Sequence, residues 1–165
     1  MTDGRDGLVM IFSGPTEYAI RAMSELAALN LGRPVLLDEL VEGTGLPRDF
    51  VAKIFQKLVR GGVLCSAKGR GGGFVLARPA HETTLMHVVE AVEGPQVFDR
   101  CVVGFDRCND QMPCPQHDLF KPIRQRLNDY LRTTTMADLA ASLKAKKQWR
   151  RFRVAEVAAG AAISE

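Results

Sequence analysis

A mainly α-helical fold with one small β-hairpin is predicted by this sequence on three observations. Apolar residues recur at helical spacing through residues 16–60 and 85–131. Two short apolar runs, Val63-Leu64-Cys65-Ser66 and Phe74-Val75-Leu76-Ala77, flank the glycine-rich AKGRGGG of residues 67–73, as the strands of a hairpin flank a turn. The 165 residues, 46% hydrophobic and 25% charged, suit one ordinary globular domain with an appended element.

The elements follow in order. Residues 1–9 are a polar, flexible extension, and folding is expected from residue 10. From Thr16, the residues Tyr18, Ala22, Leu26 and Leu29 share a helical face widened by Ala19, Met23 and Ala27, ending near Asn30-Leu31-Gly32. A short second helix over Leu37–Glu42 stops at Gly43-Thr44-Gly45. The third begins at Pro47, a residue favoured in a first helical turn, and runs to about Arg60. It turns Phe50, Val51, Ile54, Phe55 and Leu58 one way and Arg48, Asp49, Ala52, Lys53, Gln56 and Lys57 the other. After the hairpin, a fourth helix over Leu85–Glu93 starts at a threonine and stops at Gly94-Pro95. A long helix begins near Asp118, with Pro122 in its first turn, where a missing N–H is tolerated. Thr135, with Asp138 three residues on, caps one more helix.

Two short helices joined by a glycine-containing turn, the second amphipathic with a basic outer face, make a helix-turn-helix, and the hairpin after them makes a wing. A net charge of only +3 does not by itself argue for nucleic acid. Its distribution does, because basic residues converge on this one module with few acids expected to face them. Base reading is expected from Arg48, Asp49, Ala52, Lys53 and Gln56 in the major groove, with Lys57, Lys68 and Arg70 adding positive charge. Gly71 and Gly72 let the wing backbone approach a phosphate or enter a narrow groove.

On the long helix, Leu119, Phe120, Ile123, Leu127, Tyr130 and Leu131 form a narrow apolar seam. The commonest partner for such a seam is the same helix of a second copy, which makes this a dimerisation helix and the protein a homodimer. A two-fold dimer demands a pseudo-palindromic double-stranded operator with half-sites about one helical turn apart. The chain thus divides into a winged helix-turn-helix domain (10–95), a cysteine-containing loop (96–118), dimerisation and C-terminal helices (119–148) and a loose tail (149–165).

The loop holds Cys101, Cys108 and Cys114 in the pattern C-x6-C-x5-C, with His117 three residues after the last. Gly104, Asn109, Asp110, Pro113 and Pro115 among them exclude a helix or a strand. Ordering a loop of thiols costs conformational entropy, which metal bonding offsets. An iron–sulfur cluster, a zinc site and a set of reduced buried thiols are all compatible with this spacing. Cys65, in a wing strand, is expected to be a small buried apolar residue. His81 and His87 are expected to be ordinary surface or interface residues.

Other classes are disfavoured. No apolar run approaches the ~20 residues of a membrane span. The N-terminus carries acids without a long apolar core, so it does not read as a signal peptide, and a cytoplasmic protein is expected. No dinucleotide fingerprint, nucleophile elbow or P-loop is present, and AKGRGGG follows a strand without opening a helix, so an iron–sulfur enzyme is disfavoured.

Taken together, TEYAIRAMSELA, LPRDFVAKIFQKLVRGGVLCSAKGRGGGFVLARP, TTLMHVVEAVEG, CPQHDLFKPIRQRLNDYL and TTTMADL resemble, in this order, the Rrf2 family of bacterial transcription regulators. The resemblance spans roughly residues 10–143. It implies a dimeric winged-helix DNA-binding protein that senses iron, nitric oxide or redox status through a 2Fe–2S or 4Fe–4S cluster, zinc being the alternative. It implies Cys101, Cys108 and Cys114 as ligands, with the fourth from His117 or from Glu17, the latter often supplied by the other subunit. Relatives usually carry five residues between the first two cysteines where this chain has six, and one extra loop residue can bulge without moving a ligand.

Overall fold

Small side chains on one face of α1 (Gly14–Leu29) let neighbouring helices close on it: Ala19, Ala22 and Met23 have no exposed surface. The computed structural model describes residues 11–29, 32–42, 44–69, 71–99, 101–105 and 107–147; the expected N-terminal extension, the tail and Arg70 lie outside the described residues. α1 packs against α3 (Arg48–Arg60), whose Val51, Ile54, Phe55 and Leu58 point inward at i, i+3, i+4 and i+7, while Phe50, expected on the same face, is exposed and meets Tyr18 edge-on with centroids 5.2 Å apart. It also packs against α4 (Leu85–Glu93), through a face that buries Leu85, Met86, Val88 and Val89. The short α2 (Leu37–Val41) lies on α3 and completes the helix-turn-helix.

The wing is a two-stranded antiparallel sheet of β1 (Leu64–Ala67) and β2 (Gly73–Leu76), with Leu64 opposite Leu76 and Ala67 opposite Gly73. It is tied to the chain before α2: Val35 N–H donates to Phe74 O at 2.9 Å, and Phe74 N–H to Val35 O at 2.8 Å. Phe74 also meets Phe55 edge-on, with ring centroids 5.0 Å apart. Side chains alternate along a strand, so burying Leu64 turns Cys65 outward. Cys65 is therefore exposed, against the expectation of a buried residue.

Thr84 caps α4 as the sequence suggested, and His87 completes the cap: Thr84 N–H donates to His87 Nδ1 at 3.0 Å. His87 is thus part of a capping box rather than an ordinary surface residue. The same turn is stitched to the far end of the chain, with Leu85 N–H to Thr134 O at 2.9 Å and Met136 N–H to Thr83 O at 2.8 Å.

α5 (His117–Thr133) starts one residue earlier than expected, so Pro122 falls in its second turn, where it removes an intrahelical hydrogen bond to the Asp118 carbonyl. The apolar seam divides. Leu131 is fully buried in the core and Leu127 packs against it, while Leu119, Ile123 and Tyr130 are 69%, 60% and 50% exposed. A final helix, α6 (residues 136–147), begins at the Thr135–Asp138 cap, whose Oγ1–Oδ2 distance is 2.7 Å, and contributes Met136 and Ala140 to the core.

Candidate metal centre and nucleic-acid interface

Between α4 and α5 the chain is shaped by a succession of turns. Just after Cys101, Gly104 N–H donates to Cys101 O at 3.0 Å, lifting Val102 and Val103 into solvent. Cys108 N–H then bonds Asp99 O at 3.0 Å, which returns the chain beside Cys101. Asn109 Oδ1 accepts from Gln111 N–H at 3.1 Å and Met112 N–H at 2.8 Å, folding the Cys108–Cys114 segment. His117 N–H donates to Cys114 O at 2.9 Å as α5 begins.

These turns gather all three loop cysteines and His117 around one open recess of about 570 Å³, walled also by Phe105, Met112, Pro113 and Pro115. The donors form two close pairs. Cys101 Sγ lies 3.5 Å from Cys114 Sγ, and Cys108 Sγ lies 3.2 Å from His117 Nδ1. Cys101 and His117 are buried. Among the described residues, no three Cys, His, Asp or Glu side chains are grouped closely enough to hold a single ion.

His117 has a defined orientation. Its Nε2 stands 2.7 Å from Asp110 Oδ1, which also accepts from Lys121 Nζ at 2.6 Å. Lys121 first, and His117 with it, hold the Asp110 carboxyl below its ordinary value, so it is an ionised acceptor. The Nε2–H tautomer satisfies that acceptor and leaves the Nδ1 lone pair facing Cys108. Carboxylate-oriented imidazoles of this kind recur behind metal ligands. In the other pair, the Val103 backbone N–H draws the Cys101 thiol down against burial, helped by Cys114, Phe105 and Arg124. Burial pushes the Cys114 thiol up. Three soft thiols and one oriented imidazole, a borderline nitrogen donor, fit an iron–sulfur cluster.

Glu17 is not among the residues lining the recess. Its Oε1 is buried without a hydrogen-bond partner among the described residues. Its neighbour Thr16 donates to Glu93 Oε1 at 2.6 Å, and Ser13 N–H to the same oxygen at 3.2 Å, which fastens the start of α1 to the end of α4. Asp110 and Lys121 were not foreseen from sequence; the only hint was a carboxylate lying between two thiols.

On the basic module, Lys53 and Gln56 are exposed on the outer face of α3, Ala52 is half-buried between them, and Lys68 is exposed in the wing turn. Lys57 departs from the expected grouping. Its Nζ reaches Val92 O, 3.5 Å away at the end of α4, and its charge acts on Glu93, because a cation is favoured where helix carbonyls are unpaired. Nor is Arg48 free of acids: Asp38 grips it, and Asp49 Oδ1 lies 3.5 Å from its Nη1. The wing glycines also have a structural cause. A Cβ on Gly72 would stand 2.5 Å from Ala67 O, and one on Gly73 2.3 Å from Val35 O, so turn closure and the Val35 pairing already require glycine at both. Gly71, at φ +76°, has open space around it.

Among the described residues, no helix is long and apolar enough to cross a membrane. A family model described as Rrf2, iron-dependent transcriptional regulator, matches residues 12–142. The chain is 32% identical over 132 residues to an Aquifex aeolicus protein whose name places it among helix-turn-helix transcriptional regulators, covering 79% of this chain and 91% of that one. It is 30% identical over 122 residues to the helix-turn-helix regulator IscR of Pectobacterium carotovorum, covering 74% of each. In structure it is similar to CymR, the global cysteine regulator of B. subtilis, with a TM-score of 0.68 over 81% of this chain and 98% of that one, at 22% identity. These relatives are named as transcriptional regulators, and the fold shared with CymR is the winged helix described above. The chain belongs to the Rrf2 family of DNA-binding transcriptional regulators.

Proposed function

We propose that this regulator is a homodimer that holds an iron–sulfur cluster in the Cys101–His117 recess and couples its presence to operator affinity. The observation that carries this reading is the pairing of donors, Cys101 with Cys114 and Cys108 with His117, in one recess. A two-iron cluster takes two protein ligands on each iron, so it suits donors in pairs, whereas a single zinc ion gathers four around one point. His117 is favoured over Glu17 as fourth ligand because it lines the recess and its outer nitrogen is already held by Asp110. When bound, the cluster supplies chemistry sensitive to oxidants, nitric oxide and iron supply.

The protein's own contribution is mechanical. His117 is the first residue of α5, and Leu131 near the other end of that helix is locked in the core. The order of residues 101–117 therefore bears on how α5 presents Leu119, Ile123 and Tyr130, the exposed stripe that a second copy would cover. A change there alters the separation of two α3 helices on DNA. Such coupling is worth ~1–3 kcal/mol, about 5- to 150-fold in affinity.

Anaerobic purification tests the reading. A coloured protein with iron and acid-labile sulfide supports it, and a colourless one with stoichiometric zinc refutes it. His117→Ala is expected to change the visible spectrum and Glu17→Ala to leave it unchanged.

A further inference from the structure

Arg48 occupies the first turn of α3, where the helix dipole disfavours a cation. Two carboxylates hold it there. Its Nε donates to Asp38 Oδ1 and its Nη2 to Asp38 Oδ2 at 3.4 Å, a side-on grip from α2. Asp49 Oδ1 stands 3.5 Å from Nη1. The Asp38 and Arg48 side chains are 71% and 53% exposed, so the grip leaves the guanidinium at the surface. Simple surface stability is a weak reason for it, since exposed ion pairs contribute little.

A guanidinium has five N–H donors. Asp38 engages one on Nε and one on Nη2, and Asp49 faces one on Nη1. A side-on grip through Nε and Nη2 leaves the end of the guanidinium, one N–H from each Nη side by side, outside the Asp38 contact. That fork matches the paired acceptors O6 and N7 of guanine in the major groove. Asp38 fixes the plane of the fork before DNA arrives, so less side-chain entropy is lost on binding.

We propose that Arg48 reads a guanine in each half-site and that Asp38 is the positioning residue that makes the reading selective. This rests on α3 being the DNA-reading helix. It adds a base identity and assigns a role to an acidic residue of α2, outside the basic face.

Full-length protein would be used to select duplexes from a random-sequence library. Binding of wild type, Arg48→Ala, Arg48→Lys, Asp38→Ala and Asp38→Glu would then be measured on the selected duplex and on single guanine replacements. Wild type is expected to lose roughly 5- to 150-fold on replacing one particular guanine per half-site. Arg48→Ala and Arg48→Lys should lose that discrimination, since lysine cannot form the fork. Asp38→Ala should lose most of it while binding unselected DNA as well as wild type or better, because a carboxylate near phosphates has been removed. Asp38→Glu should restore part of it. Full discrimination by Asp38→Ala would overturn the positioning role. A uniform loss with Arg48→Ala on all sequences, with a salt slope smaller by about one, would mean that Arg48 holds a phosphate instead. Failure of wild type to select any duplex would overturn the DNA-reading assignment itself, and this proposal with it.

Discussion

Asp110 Oδ1 stands 2.7 Å from Nε2 of His117, a residue lining the thiol recess, and Lys121 Nζ, on the next turn of α5, meets the same oxygen at 2.6 Å. The arrangement leaves one imidazole nitrogen available and commits the other. Removing the carboxylate frees the ring to rotate or change tautomer. Asp110→Asn is therefore expected to weaken retention of the bound group about 10- to 100-fold, the usual effect of losing such an outer partner. The rate at which visible absorbance decays under a chelator measures it, and decay at the wild-type rate would remove Asp110 from the account.

The link between Glu93 and the start of α1 predicts a pH dependence. Burial pushes the Glu93 carboxyl up, but hydrogen bonds from Ser13 and Thr16, aided by Lys57, leave it below the ordinary glutamate value. A lowered folded-state pKa stabilises above the unfolded value and is lost as pH falls through the folded one. The melting-temperature gap between wild type and Glu93→Gln should be widest at neutral pH and close in acid. Thr16→Val, which deletes the 2.6 Å hydrogen bond of a fully buried hydroxyl, should cost ~1–3 kcal/mol in denaturant unfolding. A gap that widens in acid would contradict the assignment.

The divided face of α5 predicts that stability and assembly respond to different residues. Ile123→Asp places a charge on the exposed stripe, 60% accessible in the isolated chain, and should yield a folded monomer by sedimentation. Leu131→Ala removes a fully buried side chain and should instead cost ~2–5 kcal/mol of stability. Unchanged association of Ile123→Asp would place the dimer interface elsewhere.

Lys53 and Lys57 lie one turn apart on α3 and are expected to behave differently. Lys53→Ala should weaken DNA binding and lower the salt slope by ~0.9, one phosphate contact. Lys57→Ala should leave that slope alone, because its ammonium serves the end of α4. Equal salt slopes for the two variants would undo the distinction.

These residues also show what the sequence could and could not disclose. Thr84 before α4 and Gly94-Pro95 after it are local signals, and that helix has the predicted bounds. The α3 core positions follow from a strong 3.6-residue period, and the three loop cysteines with His117 announce a soft donor set through composition alone. The pairing of those donors depends on turns set by Asn109 and Gly104, which spacing does not encode. Helical period placed Leu119, Ile123 and Leu131 in one seam, but only packing decides which side of a helix meets its own core. Lys57 reads as a surface cation until α4 brings the Val92 carbonyl to it, and Asp38 reads as a solvated acid until α2 and α3 meet.

The central claim is that the contents of the Cys101–His117 recess set how firmly the dimer holds its operator. Operator retardation by cluster-loaded and cluster-stripped protein, side by side at one salt concentration, tests it most directly. A difference of about 5- to 150-fold in either direction is predicted. Equal occupancy of the same duplex by the two forms would contradict it.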